Sequence, residues 1–307
     1  NEMFISSDPH AIREHTDQLV ALEDGQIAKV DSHDVQVMQI DGRAVESSFL
    51  NLEEEWGESE LGDYPHFMLK EIHEQAQSLQ HCISGRLRHA EGTSVLGGLQ
   101  IEPHNLAQLP HIRLIGCGTA LHAAQIGQIL IEQWARIPAV SHVASEFNAN
   151  DPVINPDALH LAISQSGETA DTLSAVKEIQ RKGADVYGVV NVVGSTIARQ
   201  CGKGVYIHSG PEQSVASTKA FTNMVGALAL FSLQLGRSRH LSKTKGKSIA
   251  REMRKLPEKI RSYLENPGPI DEAVELVMQS KSVLFLGRGI SSPVASEGAL
   301  KLMEIAY

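Results

Sequence analysis

Apolar and polar positions divide the chain into three unequal pieces. Residues 1 to about 48 hold short segments rich in β-formers, interrupted by Asp-Gly pairs, and 22–30 and 35–43 read as strand and hairpin material. That piece is too short for a convincing core of its own. An acidic run over 51–63, with Glu53, Glu54, Glu55, Glu58 and Glu60, reads as a linker. A helical pattern starts at Pro65 and continues through Leu87, and 92–99 is irregular. From 111 to about 236 strands and helices alternate. Strands are expected at 112–115, 139–143, 158–163, 186–193 and 204–208, and helices at 119–136, 169–182 and 217–235, with a shorter one near 195–200. Apolar strands alternating with helices imply a parallel sheet covered on both faces, with ligands outside the carboxyl ends of its strands.

A basic, polar connection over 237–247 leads to a helix at 271–280, a strand at 283–286 and a last helix to Tyr307. Residues 114–123 and 285–295 share one pattern of apolar strand, Gly-x-Gly, polar turn and helix, which reads as an internal duplication. The second copy ends after one strand and one helix, too little to cover a buried strand, so the reading expects a truncated chain.

The most informative run is Ser164-Gln165-Ser166-Gly167-Glu168-Thr169-Ala170-Asp171-Thr172. It joins an apolar strand to an amphipathic helix, whose first N–H groups lack intrahelical partners and favour anions. Ser164, Ser166, Thr169 and Thr172 add hydroxyl donors, and no Lys or Arg lies in the loop. One hydroxyl would be an ordinary helix cap; four around one turn point to a phosphate held by neutral donors.

Three further constellations stand out. Gly116-Cys117-Gly118-Thr119 has half of a dinucleotide fingerprint, but Leu121 occupies the third glycine position, which favours a ligand-facing turn. Cys117 has no identifiable base partner and reads as a packed residue. Ser217 and Thr218 can cap the helix that follows, while Lys219 in its first turn opposes the dipole, so this segment is expected to meet an anionic ligand or an acidic residue. Glu297, Lys301 and Glu304 share one helix face. Spacing alone favours a solvated ion-pair ladder; the functional alternative is a carboxylate base tuned by a lysine.

Composition narrows the classes. A chain of 307 residues with 42% hydrophobic content supports real cores, commonly in two domains. A net charge of −10 disfavours nucleic acid or anionic membrane as partner. No apolar run approaches a membrane span, and the start lacks signal-peptide character. Cys82, Cys117 and Cys201 are few and scattered, which fits a reducing cytoplasm and neither a disulfide framework nor a zinc site. The 14 histidines show no metal-site spacing, and His73-Glu74-Gln75-Ala76-Gln77 fails HExxH at its last position.

These motifs, in this order and over essentially the whole chain, resemble the glutamine-dependent fructose-6-phosphate aminotransferases, or glucosamine-6-phosphate synthases. The resemblance rests on 63–75, 116–119, 164–172, 215–221 and 297–307. It implies an α/β fold with a helix-flanked parallel sheet of the sugar-isomerase (SIS) type after a short β-rich tail. Its parts would be a glutaminase tail (1–50), linker and interdomain helices (51–110), a first SIS domain (111–240), and a connection with the start of a second (241–307). It implies an isomerizing transaminase that makes glucosamine 6-phosphate from fructose 6-phosphate, with ammonia from glutamine delivered by the glutaminase domain. Ser164, Gln165, Ser166 and Thr169 would hold the phosphate, and Thr119, Ala120 and the backbone from Val215 to Ser217 would contact the sugar. Glu304 would shuttle a proton between C1 and C2, with Lys301 and Glu297 beside it. No metal or organic cofactor is implied; a homodimer in the cytoplasm is.

Departures from the pattern are specific. Ala120-Leu121 replaces the usual Ser-Tyr, which removes a sugar-facing hydroxyl, and Ala76 replaces a proline. The chain begins Asn1-Glu2-Met3, without the N-terminal cysteine a glutaminase needs. The family's ring-opening histidine and Schiff-base lysine fall in motifs beyond Tyr307, so the chain alone is expected to be inactive. Two other readings stay open on sequence: a different SIS-domain phosphosugar isomerase or deglycase, and a non-catalytic phosphosugar-binding regulator.

Overall fold

The computed structural model describes residues 2–6, 12, 15–16, 18–20, 22, 25–45, 50–51 and 61–306. Most of the acidic stretch read as a linker, 52–60, lies outside them. The chain forms two compact units, 1–58 and 59–307.

In the first unit β1 (Gln18–Leu19) pairs antiparallel with β4 (Leu50–Asn51), and β2 (Gln26–Val30) with β3 (Val35–Gln39). The β2–β3 turn is built on Asp31, whose carboxylate accepts from the N–H groups of His33 (2.9 Å) and Asp34 (3.0 Å), and not on an Asp-Gly pair. Asp41-Gly42 makes a second tight turn, with Gly42 N–H on the Gln39 carbonyl at 2.8 Å. Among the described residues of this unit, Val37 is the one buried apolar side chain.

The second unit is built on a parallel sheet ordered β11-β10-β9-β7-β8. Its strands are β7 (Ile112–Gly116), β8 (Ala139–Val143), β9 (Leu159–Ser164), β10 (Val186–Val190) and β11 (Gly204–Tyr206). β9 and β10 are buried along their whole length, as strands covered on both faces must be. Leu159, Leu161 and Ile163 face a cluster with α1 (Phe67–Ile83), α3 (Gly118–Ala135), α7 (Lys219–Arg239) and α8 (Lys243–Glu265). Ile115, Ala162, Val186 and Val190 face the other way, onto α4 (Ala144–Phe147), α5 (Ala170–Arg181) and α6 (Thr196–Cys201). The nearly continuous apolar run of α7 makes it a central, buried helix.

The chain leaves β7 through α3 toward β8 at one edge, then returns to β9 on the other side of β7 and continues through α5 to β10. Connections therefore diverge between β7 and β9. Sheets of this kind take their ligands at such a divergence, outside the carboxyl ends of the two neighbouring strands.

Four expectations are corrected. The first helix stops at Ile83, four residues early, because Ser84 is extended and Gly85 has φ +69°. Beyond it, β5 (Leu87–Arg88) and β6 (Thr93–Ser94) form a hairpin where the sequence read as helix and irregular chain, and α2 (Pro103–Gln108) follows. The polar connection 237–247 shrinks to 240–242, since Lys and Arg are good helix formers and Ser242 caps α8 by accepting from Lys245 N–H at 3.2 Å. Finally, 283–286 is not a strand: no described strand offers it hydrogen bonds, and Leu284 and Leu286 are 84% and 87% exposed. The expected helices around it do form, as α9 (Ile270–Met278) and α10 (Ser291–Ile305).

Candidate active site

The β9–α5 turn is held by its own hydroxyls. Ser164 ends β9 almost fully buried, and its Oγ accepts from Gly167 N–H at 3.0 Å and lies 2.9 Å from Thr169 Oγ1. Ser166 Oγ accepts from Glu168 N–H at 3.1 Å. Gly167 has φ +69°, and a Cβ there would lie 2.0 Å from Ser195 Oγ, so only glycine fits. Glu168 fastens the turn to α6 by accepting from Thr196 N–H at 2.7 Å. Gln165, Ser166 and Thr169 stay half-buried beside the first turn of α5, where Thr169 is the cap residue and makes no side-chain cap bond. The turn thus presents neutral donors and unpaired helix N–H groups to one spot.

At the end of β7, Cys117 is the extended cap residue of α3 and Gly118 has φ +50°. Thr119 follows, with Ala120 buried behind it. α10 packs on α3 here through polar groups. Glu297, 5% exposed, accepts from Thr119 Oγ1 at 2.9 Å and pairs with His122 Nδ1 at 2.7 Å. Lys301 Nζ donates to Thr119 Oγ1 (2.9 Å) and Glu304 (2.7 Å), and lies 3.4 Å from Glu297. This face is not a solvated ladder. Burial pushes the Glu297 carboxyl up, but the bonds from His122 and Thr119 and the Lys301 charge outweigh it and hold it below the usual range. Glu304 remains exposed, one oxygen on Lys301.

The third motif sits ahead of α7. Val215 is 91% exposed, while Ser217 Oγ donates to Glu212 at 2.8 Å. The cap of α7, expected from Ser217 and Thr218, is supplied by Glu212, which accepts from the N–H groups of Thr218 (2.8 Å) and Ala220 (3.1 Å). Lys219 meets an acidic residue: its Nζ, buried against the dipole, pairs with Glu74 of α1 at 2.6 Å. Burial raises the Glu74 carboxyl, yet Lys219 and Lys70 bring it below its ordinary value; burial dominates at neighbouring Glu71 and pushes it up. Glu71 still accepts from the N–H groups of Gln213 (2.6 Å) and Ser214 (3.2 Å), so α1 braces this segment.

Thr119, Glu297, Lys301 and Glu304 therefore share one network, and Ser164, Ser166 and Thr169 line the neighbouring strand end. Asn191 joins the second group to the third. Its N–H donates to the Gln165 carbonyl at 3.1 Å, and its side chain bonds Gly210 O (2.8 Å) and Ser209 N–H (2.9 Å). Asn191, His122, Glu71, Glu74 and Glu212 escaped the sequence reading. Of these, His122 carried a signal, being three positions after Thr119 on one helix face. Among the described residues no cluster of His, Cys, Asp and Glu suits a metal ion, and no helix is long and apolar enough to cross a membrane.

Comparison with known proteins identifies the fold and the family. The SIS domain family matches residues 105–233. Two relatives named glutamine–fructose-6-phosphate aminotransferase [isomerizing], from Thermus thermophilus and Chlorobaculum tepidum, are each 42% identical over the whole of this chain, which spans half of their length. Among solved structures, the C-terminal domain of glucosamine-fructose-6-phosphate aminotransferase from Francisella tularensis superposes with a TM-score of 0.75 at 32% identity, over 81% of this chain and 70% of that one. The chain belongs to the family of the glutamine–fructose-6-phosphate aminotransferases, and its parallel-sheet unit carries the SIS domain of that family.

Proposed function

We propose that this chain carries the sugar-phosphate half of an enzyme converting fructose 6-phosphate and glutamine to glucosamine 6-phosphate and glutamate. The observation that carries the reading is the hydroxyl-lined Ser164–Thr169 turn beside Thr119, with α10 docked on Thr119 through Glu297 and Lys301. Ser164, Gln165, Ser166, Thr169 and the α5 N–H groups bind the phosphate through neutral donors. Thr119, Ala120 and the Val215–Ser217 backbone face the sugar. Glu304, the exposed carboxylate of its network, takes the proton from one carbon and returns it to the next. Lys301 holds its charge in place, and Glu297 fixes Lys301 and Thr119 in turn. A glutaminase domain ending within 1–50 would deliver the ammonia, with 51–110 as the connection, 111–240 as the first SIS domain and 241–307 leading into a second. A cytoplasmic homodimer completes the proposal.

Calorimetry with fructose 6-phosphate and with fructose tests the site. Replacing Ser164 and Ser166 together by Ala removes donors to a charged acceptor, each worth about 1.5–3 kcal/mol, so affinity falls at least about tenfold. Equal affinity for both sugars, or an unchanged double variant, refutes the assignment.

A further inference from the structure

Three basic side chains lie together on one face of the sheet, with buried nitrogens that lack well-formed acceptors. Arg113 of β7 is in register with His160 of β9, and Ile115, two positions on, is in register with His142 of β8. Side chains alternate along a strand, so Arg113, His142 and His160 all project toward the α4–α5 side. His160 is completely buried, and its ring nitrogens make no well-aligned hydrogen bond, only weak contacts with the backbone of Asp185 and Ala158. Arg113 Nε and Nη1 and His142 Nε2 are likewise buried without acceptors, and Arg113 forms no ion pair among the described residues. Phe147 walls the cluster, its ring 5.4 Å from that of His142 and edge-on to it.

Arg113 is half-buried as a residue, and folded chains rarely bury guanidinium nitrogens, as its Nε and Nη1 are buried, without an acceptor or counter-charge. We infer that Arg113, flanked by His142 and His160, forms a second anion site that takes a small phosphate-like oxyanion from solution. Arg113 supplies a planar pair of donors suited to two oxygens, and the imidazoles supply single N–H donors. Burial, reinforced by the Arg113 charge, lowers both imidazoles, His160 to about 4, so Arg113 is the fixed positive charge of the cluster. The site is distinct from the Ser164 turn. His160 and Ser164 stand four positions apart on β9, about 13 Å along the strand.

Titration with inorganic phosphate, followed at the Arg113 Nε–H and histidine ring ¹⁵N signals, tests this. A saturable Arg113 shift is expected in the native sequence and, with the same Kd, in the chain carrying Ser164→Ala and Ser166→Ala. Arg113→Gln should weaken phosphate binding at this site at least about tenfold, and Arg113→Lys, which keeps charge and loses the fork, by less. The native titration needs no variant to fold. A shift that never saturates means the donors are simply hydrated and overturns the inference. So does a saturable shift abolished by the two serine changes, which would leave the proposed function standing. A shift that follows protein concentration in place of phosphate assigns the donors to a carboxylate of a second copy and also overturns it. Unchanged fructose 6-phosphate affinity in the serine variant would refute the proposed function alone.

Discussion

Thr119 Oγ1 donates to Glu297 at 2.9 Å and accepts from Lys301 at 2.9 Å, so one hydroxyl in the first turn of α3 receives two of the three charged groups of α10. Buried positions on α10 are few, Pro293 and Glu297, so the helix is seated by polar bonds more than by apolar packing. A carboxylate that anchors a helix is poorly placed to carry protons, because any change in its charge would loosen the anchor. Glu297 is thus bound up in the anchor, while Glu304, the proposed base, stays exposed with one oxygen on Lys301.

Gly167→Ala tests the rigidity of the Ser164 turn. The residue sits at φ +69° and a Cβ would meet Ser195 Oγ at 2.0 Å, so the change costs about 1–3 kcal/mol of strain. Thermal denaturation should show Tm falling by about 2–4 °C for each kcal/mol lost. Adding Ser195→Gly should recover the steric part and leave the part due to φ. A melting temperature equal to the native one would mean the turn yields freely.

Lys219 and Glu74 form a coupled pair. With the ammonium buried and 2.6 Å from the carboxylate, Lys219→Met alone leaves half-buried Glu74 with Lys70, at 2.8 Å, as its remaining partner and costs about 2 kcal/mol, below the ~3–5 kcal/mol of a buried charge that loses its only partner. Lys219→Met with Glu74→Leu should restore most of that loss. Urea midpoints of the four proteins in the cycle give the coupling. Additive single effects would show that the pair contributes nothing jointly.

His160 makes stability depend on pH. Burial first, and the Arg113 charge next, lower its pKa from 6.5 to about 4. The unfolded chain therefore binds more protons than the folded one between these values. The stabilisation is fully present above about pH 6.5 and is lost as pH falls toward 4, amounting to about 3 kcal/mol at most. His160→Leu should flatten the urea-midpoint profile across this window. A native profile already flat between pH 6.5 and 4 would contradict the burial argument.

Much of this was legible in the chain. The parallel-sheet strands were readable because a strand buried on both faces is a short apolar run, and β9 and β10 are wholly buried. The Ser164 turn was readable because its hydroxyls fall within one short run of sequence. The α7 cap was not, since Glu212 lies outside the helix and reaches the N–H groups of Thr218 and Ala220 only once the chain folds back. Spacing also left Glu297 as a solvated residue, because its partners Thr119 and His122 stand 178 and 175 positions away. The strand expected at 283–286 had the right composition, but pairing belongs to the sheet and not to the segment.

The proposed base, Glu304, can be separated from its neighbours by kinetics at the full length of the relatives. Glu304 is exposed, with one oxygen on Lys301 at 2.7 Å, so Glu304→Gln keeps size and hydrogen bonding and removes only proton acceptance. A general base contributes about 10²–10⁴-fold, so kcat for the sugar reaction should fall at least about a hundredfold with KM for fructose 6-phosphate nearly unchanged. Glu297→Gln should behave differently. Weakening the bonds to His122 and Thr119 loosens α10, so stability and KM should change along with kcat. Glutamine hydrolysis, which needs neither carboxylate, is the internal control. If Glu304→Gln keeps kcat within a few-fold while Glu297→Gln abolishes it, the proton carrier is Glu297 and the roles assigned along α10 must be exchanged. If neither change lowers kcat, this face of α10 only holds the helix in place, and the proton carrier lies elsewhere.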